Sequence, residues 1–359
     1  MNIIPAMSAP EYKGIKKWND DSVHSIKDLK GKVILLDFWT YTCVFCLRTI
    51  PTIEFLKKKY HSKGLEVVGI HSAEYEFAKN EENIRNALRT YGLEDTLTGF
   101  DTSNKTWELY GNSYWPKHIL IDTDGFVRYE HPGYGTVEDF EEALIDLLDL
   151  QSTSQIENNI SSHEQTNVNH EHLINSKKYS HDNNIQNSNE NNYITKMYGM
   201  HFAGMPPEIC VGYSRLRRFG NNQKIKVEEF NIFSEIPQIM DNVPYLKGKW
   251  YWGKEGIGVS FDNKEKNPSI IFNYNSASNV SILSGSTDGK LAEAEILLDG
   301  KYLDENQKGY HSKLIDGVSS IDITWPFLMN VVKTHNPESH KIEILPKTDN
   351  FYFYTFVFG

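Results

Sequence analysis

The chain has 359 residues, 39% of them hydrophobic and 24% charged, which is enough for two domains with their own cores. A formal net charge of −11 argues against nucleic acids and anionic membrane surfaces as partners. No stretch approaches the roughly 18 apolar residues of a membrane-spanning helix, and the amino terminus lacks a basic region followed by an apolar one. We therefore expect a cytoplasmic protein with no membrane span and no visible export signal.

The first predicted element is a buried strand that leads into a pair of cysteines. Residues 33–38 are continuously apolar up to Asp37 and rich in branched side chains, which predicts a strand. Residues 47–60 have an amphipathic helical pattern. Cys43 and Cys46 stand between the two, three residues apart, so they share one face of the first helical turn and their sulfur atoms can meet. This arrangement is typical of a redox dithiol.

The two cysteines are predicted to have different roles. The unpaired N–H groups and the positive dipole end of the helix favour a thiolate at Cys43, which we predict as the nucleophile. Cys46 lies one turn inward and is predicted to be less exposed, as the resolving thiol that releases a mixed disulfide. No cofactor beyond the dithiol itself, and no metal, is expected.

Three other interpretations compete with a redox dithiol. A zinc half-site would need a second Cys or His pair, whereas the only other cysteine is Cys210. Two buried structural cysteines are a second alternative. The third is a peroxidase centre, since peroxiredoxins resemble one another in a Pro-x-x-x-Thr-x-x-Cys run; Thr40 fits that run, but Leu36 stands where its proline should be.

The rest of the first 150 residues predicts one α/β domain, residues 1–150. A βαβ unit followed by a ββα unit around one sheet is indicated. We predict strands at 65–71, 118–122 and 126–131, and helices at about 79–91 and 137–150. His71, at a strand's end, is interpreted as an ordinary structural histidine.

Residues 151–192 differ sharply in composition: Asn, Ser and Gln make up 22 of these 42 residues. This predicts a disordered linker, so the flanking domains need not hold a fixed orientation. The segment contains His163, His170, His172 and His181, which could bind copper, nickel or zinc loosely, or could be incidental to a polar composition.

Residues 193–359 are predicted to form a second, all-β domain. The Asp-Gly pairs at 288–289 and 299–300 supply hairpin turns, and the spacing of the short strands favours a sandwich. The predicted strands are 270–274, 280–283, 294–298, 341–345 and 352–358.

The second domain also contains an aromatic run and the third cysteine. Trp250, Tyr251 and Trp252 could form a stacking platform for a glycan or a peptide, although alternation along a strand puts at least one ring in the core. Cys210 is interpreted as a buried structural thiol.

Three motifs in the first domain resemble the TlpA-like branch of the thioredoxin superfamily. They are Phe-Trp-Thr-Tyr-Thr-Cys-x-x-Cys-Leu-Arg-Thr at 38–49, Tyr-Trp-Pro at 114–116 and His-Pro-Gly-x-Gly at 131–135. They are most similar to the soluble carboxyl-terminal part of DipZ-type cytochrome c biogenesis proteins. Pro-Glu-Ile-Cys-Val-Gly-Tyr at 207–213 and the closing aromatic run resemble the module that follows there. The resemblance implies a thioredoxin fold followed by a jelly-roll sandwich similar to carbohydrate-binding modules.

The resemblance also implies residue roles. Asp37, six residues before Cys43, matches the buried acid that shuttles the proton of the inner cysteine; the alternative is a carboxylate that ends the strand in solvent. Pro116 matches the cis-proline beside which the backbone pairs with substrate. Trp115 would flank the dithiol, and Trp39 belongs to the family's Phe-Trp pair; both are expected to contact substrate. Pro51 fits the proline that kinks the active-site helix.

Two positions depart from the DipZ pattern. Phe45 stands where that group usually has Asn, and Tyr134 where it usually has Glu. Redox poise and substrate preference therefore do not carry over from the resemblance.

The sequence thus predicts a thiol:disulfide oxidoreductase that reduces or exchanges protein disulfides. DipZ proteins resemble electron transporters fused to a membrane domain, which is missing from this sequence, so a separate protein thiol reductant is expected. One alternative is a binding or scaffold protein whose sandwich recognises a glycan or a protein. Another is a metal-delivery protein, although the Cys-x-x-x-Cys spacing of Sco-type copper chaperones is absent.

Overall fold

The structure is a computed structural model, and it describes residues 7–149, 194, 197–199, 205–261 and 267–359. The predicted linker, with His163, His170, His172 and His181, lies outside the described residues. In the described ranges, no helix is both long and apolar enough to cross a membrane.

The first domain is built on a six-stranded mixed sheet in the order β1-β6-β5-β2-β3-β4. Strand β2 lies inside the sheet, parallel to β3 and antiparallel to β5. The strands are β1 Met7–Ser8, β2 Val33–Trp39, β3 Leu65–Ser72, β4 Leu97–Asp101, β5 Lys117–Ile121 and β6 Phe126–Pro132. The helices are α1 Val44–Tyr60, α2 Glu81–Tyr91, α3 Lys105–Leu109 and α4 Val137–Leu147.

This is the expected thioredoxin-like domain, and every predicted element in it exists. Among the described strands and α-helices of this domain, three were not predicted: β1, β4 and α3. Strand β4 has the sequence Leu-Thr-Gly-Phe-Asp, whose central glycine weakens a strand pattern, and α3 has only five residues. Strand β4 and helix α3 are both stabilised by packing against neighbouring elements, and a local sequence pattern does not indicate such packing.

The second domain is an antiparallel β-sandwich of eleven strands, and every pairing between its described strands is antiparallel. Its strands are β7 Ile209–Cys210, β8 Phe230–Phe233, β9 Pro244–Trp252, β10 Ile257–Ser260, β11 Ser269–Ser286, β12 Ala292–Leu298, β13 Lys301–Tyr302, β14 Lys313–Ile315, β15 Val318–Ile323, β16 Phe327–Pro346 and β17 Phe351–Phe358.

Long, bent strands connect the two layers of this sandwich. The predicted strands 270–274 and 280–283 are two ends of β11, which has 18 residues and pairs first with β9 and then with β17. Strand β9 likewise pairs with β11 and then with β10. Gly248 lies between these two pairings with a φ of 91°, a conformation that favours glycine at this change of partner.

The Trp-Tyr-Trp run does not form a single stacking platform. Trp250 and Trp252 are fully buried in the core of the sandwich, and Tyr251 alone points away from it, with its hydroxyl bonded to Glu228. The expected alternation is confirmed: successive side chains of β9 point to opposite faces, both tryptophans lie in the core, and Tyr251 is the one ring of the run outside it.

Cys210 is less buried than predicted. It lies in β7 opposite Thr355 of β17, and its side chain is half-buried. Burial nevertheless raises the pKa of the Cys210 thiol to about 11. This keeps it in the thiol form at neutral pH.

The two domains are packed together, in contrast to the free orientation that the linker suggested. A shared apolar cluster includes Leu47 and Tyr91 from the first domain and Tyr198 and Val357 from the second. Arg48 of α1 is only 3% exposed, and its Nη2 donates to the carbonyl oxygens of Tyr198, at 2.8 Å, and Phe358, at 3.1 Å. The active-site helix is thereby fixed to the second domain.

Replacing Arg48 tests this connection. Arg48→Met keeps most of the apolar side chain but leaves two buried carbonyl oxygens without their charged donor. We expect it to lower the free energy of unfolding by about 2 kcal/mol, measured by urea denaturation with tryptophan fluorescence. The control Arg218→Met replaces an exposed arginine of the second domain and should change that free energy by less than about 0.5 kcal/mol. Equal effects of both variants would contradict a role of Arg48 in joining the domains.

Candidate active site

Cys43 lies at the amino-terminal end of α1, immediately after β2 and its turn. It is the N-cap residue of the helix, and its sulfur accepts a hydrogen bond from the backbone N–H of Cys46 at 3.4 Å. The same sulfur lies 3.8 Å from the carbonyl oxygen of Trp115. Cys43 is half-buried, so part of its side chain is open to an incoming substrate.

Cys46 has a different environment, although it is one turn away on the same helix. Its side chain is 3% exposed. Burial raises the pKa of the Cys46 thiol well above its ordinary value, and the neighbouring Cys43 and the charge of Asp37 raise it further. Cys46 is therefore held as a protonated thiol at neutral pH.

Asp37 lies opposite His118 in the register between β2 and β5. The Asp37 Oδ1 and His118 Nδ1 atoms are 3.2 Å apart; the histidine side chain is fully buried and the aspartate side chain is 14% exposed. This burial is at odds with a carboxylate that merely ends the strand in solvent. The ring of Phe140 meets His118 edge-on at 5.1 Å and closes the site from one side.

His118 was not predicted as a site residue from the sequence. Its position in the sequence, two residues after Pro116, could have indicated it, because the strand that follows Pro116 pairs with the strand of Asp37. Recognising it required the pairing of β2 with β5, which the order of elements along the chain does not state.

The tryptophans predicted to contact substrate differ in position. The Trp115–Pro116 peptide bond is cis, and the Trp115 ring stacks on Trp107 with their centroids 4.1 Å apart. Trp115 lines the opening beside Cys43. Trp39 is only 2% exposed and meets His71 edge-on at 5.3 Å, so its predicted substrate contact is wrong: β2 turns its side chain into the core.

His71 is a structural histidine, as interpreted from the sequence. It is fully buried, and burial lowers its pKa to about 3, so the ring is neutral. Its Nε2 accepts from the backbone N–H of Tyr41, whose ring stacks on it at 5.3 Å. This contact supports the turn that precedes Cys43.

A cleft of about 460 Å³ opens at Cys43 between the two domains. Residues of both domains line it. Those of the first domain are Thr42, Cys43, Val44, Phe45, Glu74, Tyr114 and Trp115, and those of the second are Met205, Pro206, Pro207, Glu208, Val357 and Phe358. Phe45, one of the two departures from the DipZ pattern, is thus part of the cleft wall.

Glu74 connects the two walls of this cleft. One of its carboxylate oxygens accepts from the Thr42 hydroxyl at 2.7 Å, and the other accepts from Arg215 Nη1 of the second domain at 2.7 Å. Among the described residues, no group of three or more His, Cys, Asp or Glu side chains is placed to hold a metal ion.

Two family models match the chain, one for each domain. The Redoxin model matches residues 5–144, and the model described as "Thioredoxin like C-terminal domain" matches residues 206–359. The two matches correspond to the two domains of the structure.

Individual relatives match the first domain. Protein DipZ of Mycobacterium tuberculosis is 37% identical over 131 residues, which are 36% of this chain and 19% of DipZ. Thiol-disulfide oxidoreductase ResA of Bacillus cereus is 33% identical over 119 residues, 33% of this chain and 65% of ResA. A solved thiol:disulfide interchange protein of Chlorobium tepidum is 25% identical and has a TM-score of 0.35, with 40% of this chain and 98% of that one covered. The chain therefore matches less than two thirds of the length of each of these two curated relatives.

The Redoxin match spans the strand, dithiol, helix and cis-proline loop of the first domain. The Redoxin model and the DipZ and ResA relatives match the first domain, and a separate family model matches the second. The first domain is thus a thioredoxin-like domain of the Redoxin family, and the chain is similar to the TlpA-like branch of the thioredoxin superfamily.

Proposed function

We propose that this protein reduces or exchanges disulfides of other proteins through Cys43 and Cys46. One observation supports this most directly: a half-buried sulfur at a helix amino terminus lies beside a buried thiol that is held protonated. In such an asymmetric pair, one thiol can attack a substrate disulfide, and the other stays protonated until a mixed disulfide has formed.

In the first step, the Cys43 thiolate attacks one sulfur of a substrate disulfide. A bond forms between Cys43 and that sulfur, the substrate S–S bond breaks, and the leaving thiolate takes a proton from solvent. The N–H of Cys46, at 3.4 Å, and the positive end of α1 favour negative charge on the Cys43 sulfur. The backbone of Trp115, next to Pro116, would pair with the extended substrate segment.

In the second step, Cys46 attacks the Cys43 sulfur and releases the second substrate thiolate. Its proton must first leave, and Asp37 is the nearby carboxylate whose charge already acts on the Cys46 thiol. We assign Asp37 as the base for this proton and His118, at 3.2 Å, as the group that positions the carboxylate. The resulting Cys43–Cys46 disulfide is then reduced by a separate thiol protein.

The cysteine roles predict distinct products for two serine variants. Cys46→Ser should accumulate a covalent adduct between Cys43 and a disulfide substrate, because no resolving thiol remains to release it. Cys43→Ser should form no adduct and lose turnover by at least about 100-fold. Intact mass spectrometry and a non-reducing gel measure both results.

Cys210→Ser is the matched control for these variants. It replaces the third cysteine of the chain, in β7 of the second domain, and should retain full turnover. An adduct on Cys46 in the Cys43→Ser variant would reverse the assigned roles.

The assignment of Asp37 predicts a pH-dependent defect. Asp37→Asn removes the base, so resolution must rely on the small fraction of Cys46 that is already deprotonated. That fraction rises with pH towards the raised pKa of Cys46. We therefore expect release of the mixed disulfide to slow by about 100-fold at pH 7, and the deficit to shrink as pH increases. Single-turnover kinetics between pH 6 and about 9.5 measure this.

Asp124→Asn is the control for Asp37. Asp124 is exposed in the turn between β5 and β6, and its replacement should leave the pH profile unchanged. A defect in Asp37→Asn that is constant over the whole pH range would argue for a purely structural role.

A further inference from the structure

The cleft at Cys43 is incomplete without the second domain. One wall holds Cys43, Phe45 and Trp115 of the first domain, and the opposite wall holds Pro207 and Phe358 of the second. A substrate that reaches the Cys43 sulfur therefore contacts both domains.

The position of the second wall is fixed by buried polar contacts. The carbonyl oxygen of Phe358, itself a cleft residue, accepts from Arg48 at 3.1 Å, and Arg48 lies two residues after Cys46 in α1. Arg215 of the second domain reaches Glu74 of the first at 2.7 Å. The two domains that bound the cleft are thus held together by two contacts, Arg48 with Phe358 and Arg215 with Glu74.

The residues that line the cleft are mostly apolar, and the charged residues among them are acidic. Most lining side chains are aromatic, aliphatic or proline, which suits the apolar neighbours of a substrate cysteine. Among the described residues, the charged side chains in the lining are two carboxylates, Glu74 and Glu208, with no lysine or arginine. Glu74 is paired with Arg215. The Glu208 side chain is exposed at the cleft, but desolvation of its carboxyl and the nearby charge of Glu74 raise its pKa to about 7, while Arg215, Thr355 and Cys210 act in the opposite direction. Glu208 is therefore mostly ionised at pH 8, and we expect its charge to act on a substrate at that pH.

We propose that the second domain forms half of the substrate site, and that this site selects an extended disulfide segment with apolar and basic residues beside its cysteine. The proposal depends on the disulfide reduction proposed above and names its substrate class. Complementary charge mainly increases the rate of association and excludes wrong partners, so an acidic segment should be disfavoured.

Two synthetic peptides test this selection. Each contains one internal disulfide and the same apolar neighbour, and they differ only in Lys or Glu beside the attacked cysteine. The reduced full-length protein is mixed with each at pH 8 and low salt, and peptide thiols are measured after an acid quench. We expect the Lys peptide to react about tenfold faster, with the ratio falling as salt is added.

Variants locate the source of the preference. Glu208→Gln should lower the ratio of the two rates to about threefold, and Glu208→Lys should bring it to about one or invert it. The matched control is Glu293→Lys, which makes the same charge change at an exposed residue of β12 and should keep the tenfold ratio.

A small neutral disulfide separates this inference from the proposed function. If the wild-type protein fails to reduce hydroxyethyl disulfide and both peptides, the proposed function itself is wrong. If it reduces all three but shows no preference for the Lys peptide, the charge selection is wrong while disulfide reduction stands. A tenfold ratio that persists in Glu208→Lys would also overturn the role of the second-domain wall.

Discussion

The buried guanidinium of Arg48 is the constraint that joins the dithiol to the second domain. Burial lowers its pKa to about 10, so the group still carries its charge at neutral pH. A buried charge is tolerated only where polar groups replace water, and two backbone carbonyl oxygens of the second domain do so here. Any shift of the second domain away from α1 would leave this charge without its acceptors. The relative position of the domains is therefore specified by an electrostatic requirement as well as by apolar packing.

The two cysteines at the start of α1 differ in exposure because the first turn of the helix leads from the surface into the core: Cys43 is half-buried and Cys46 is buried. Cys43 caps the helix, where an N–H group points at its sulfur, and Cys46 is enclosed one turn later. The strand before the helix adds the third group, since Asp37, two residues before the end of β2, lies opposite His118 of β5. A short stretch of chain thus contains the three residues to which we assign the nucleophile, the resolving thiol and the base, and only the histidine comes from elsewhere.

The sequence could predict what depends on short-range pattern. The apolar run of β2, the dithiol and the helix after it lie within about thirty residues, and each follows from its own periodicity. The Trp-Tyr-Trp run shows the limit of such reasoning: alternation required at least one buried ring, but only the sheet shows that Trp250 and Trp252 are the two inside. Similarly, β11 was predicted as two strands because the irregular pairing between Tyr274 and Asn279 interrupts its pattern.

The remainder of the site depends on residues far apart in the chain. Arg48 meets carbonyl groups 150 and 310 residues away, and Arg215 meets Glu74 across 141 residues. No local pattern marks these partners, because a buried arginine in a helix has the same sequence signature as a solvated one.

If a separate thiol protein reduces the dithiol, as proposed above, the two walls of the cleft constrain that protein as well. Its attacking thiolate must reach the Cys43 sulfur through the same opening as the substrate, past Glu74 and Glu208. A thiolate brings its own negative charge, so approach is opposed unless neighbouring positive groups compensate it. Phe45 and Trp115 add the requirement for an apolar contact beside that charge. The substrate class that we propose therefore sets the same physical demands on such a reductant: a narrow segment whose cysteine lies between apolar and basic residues.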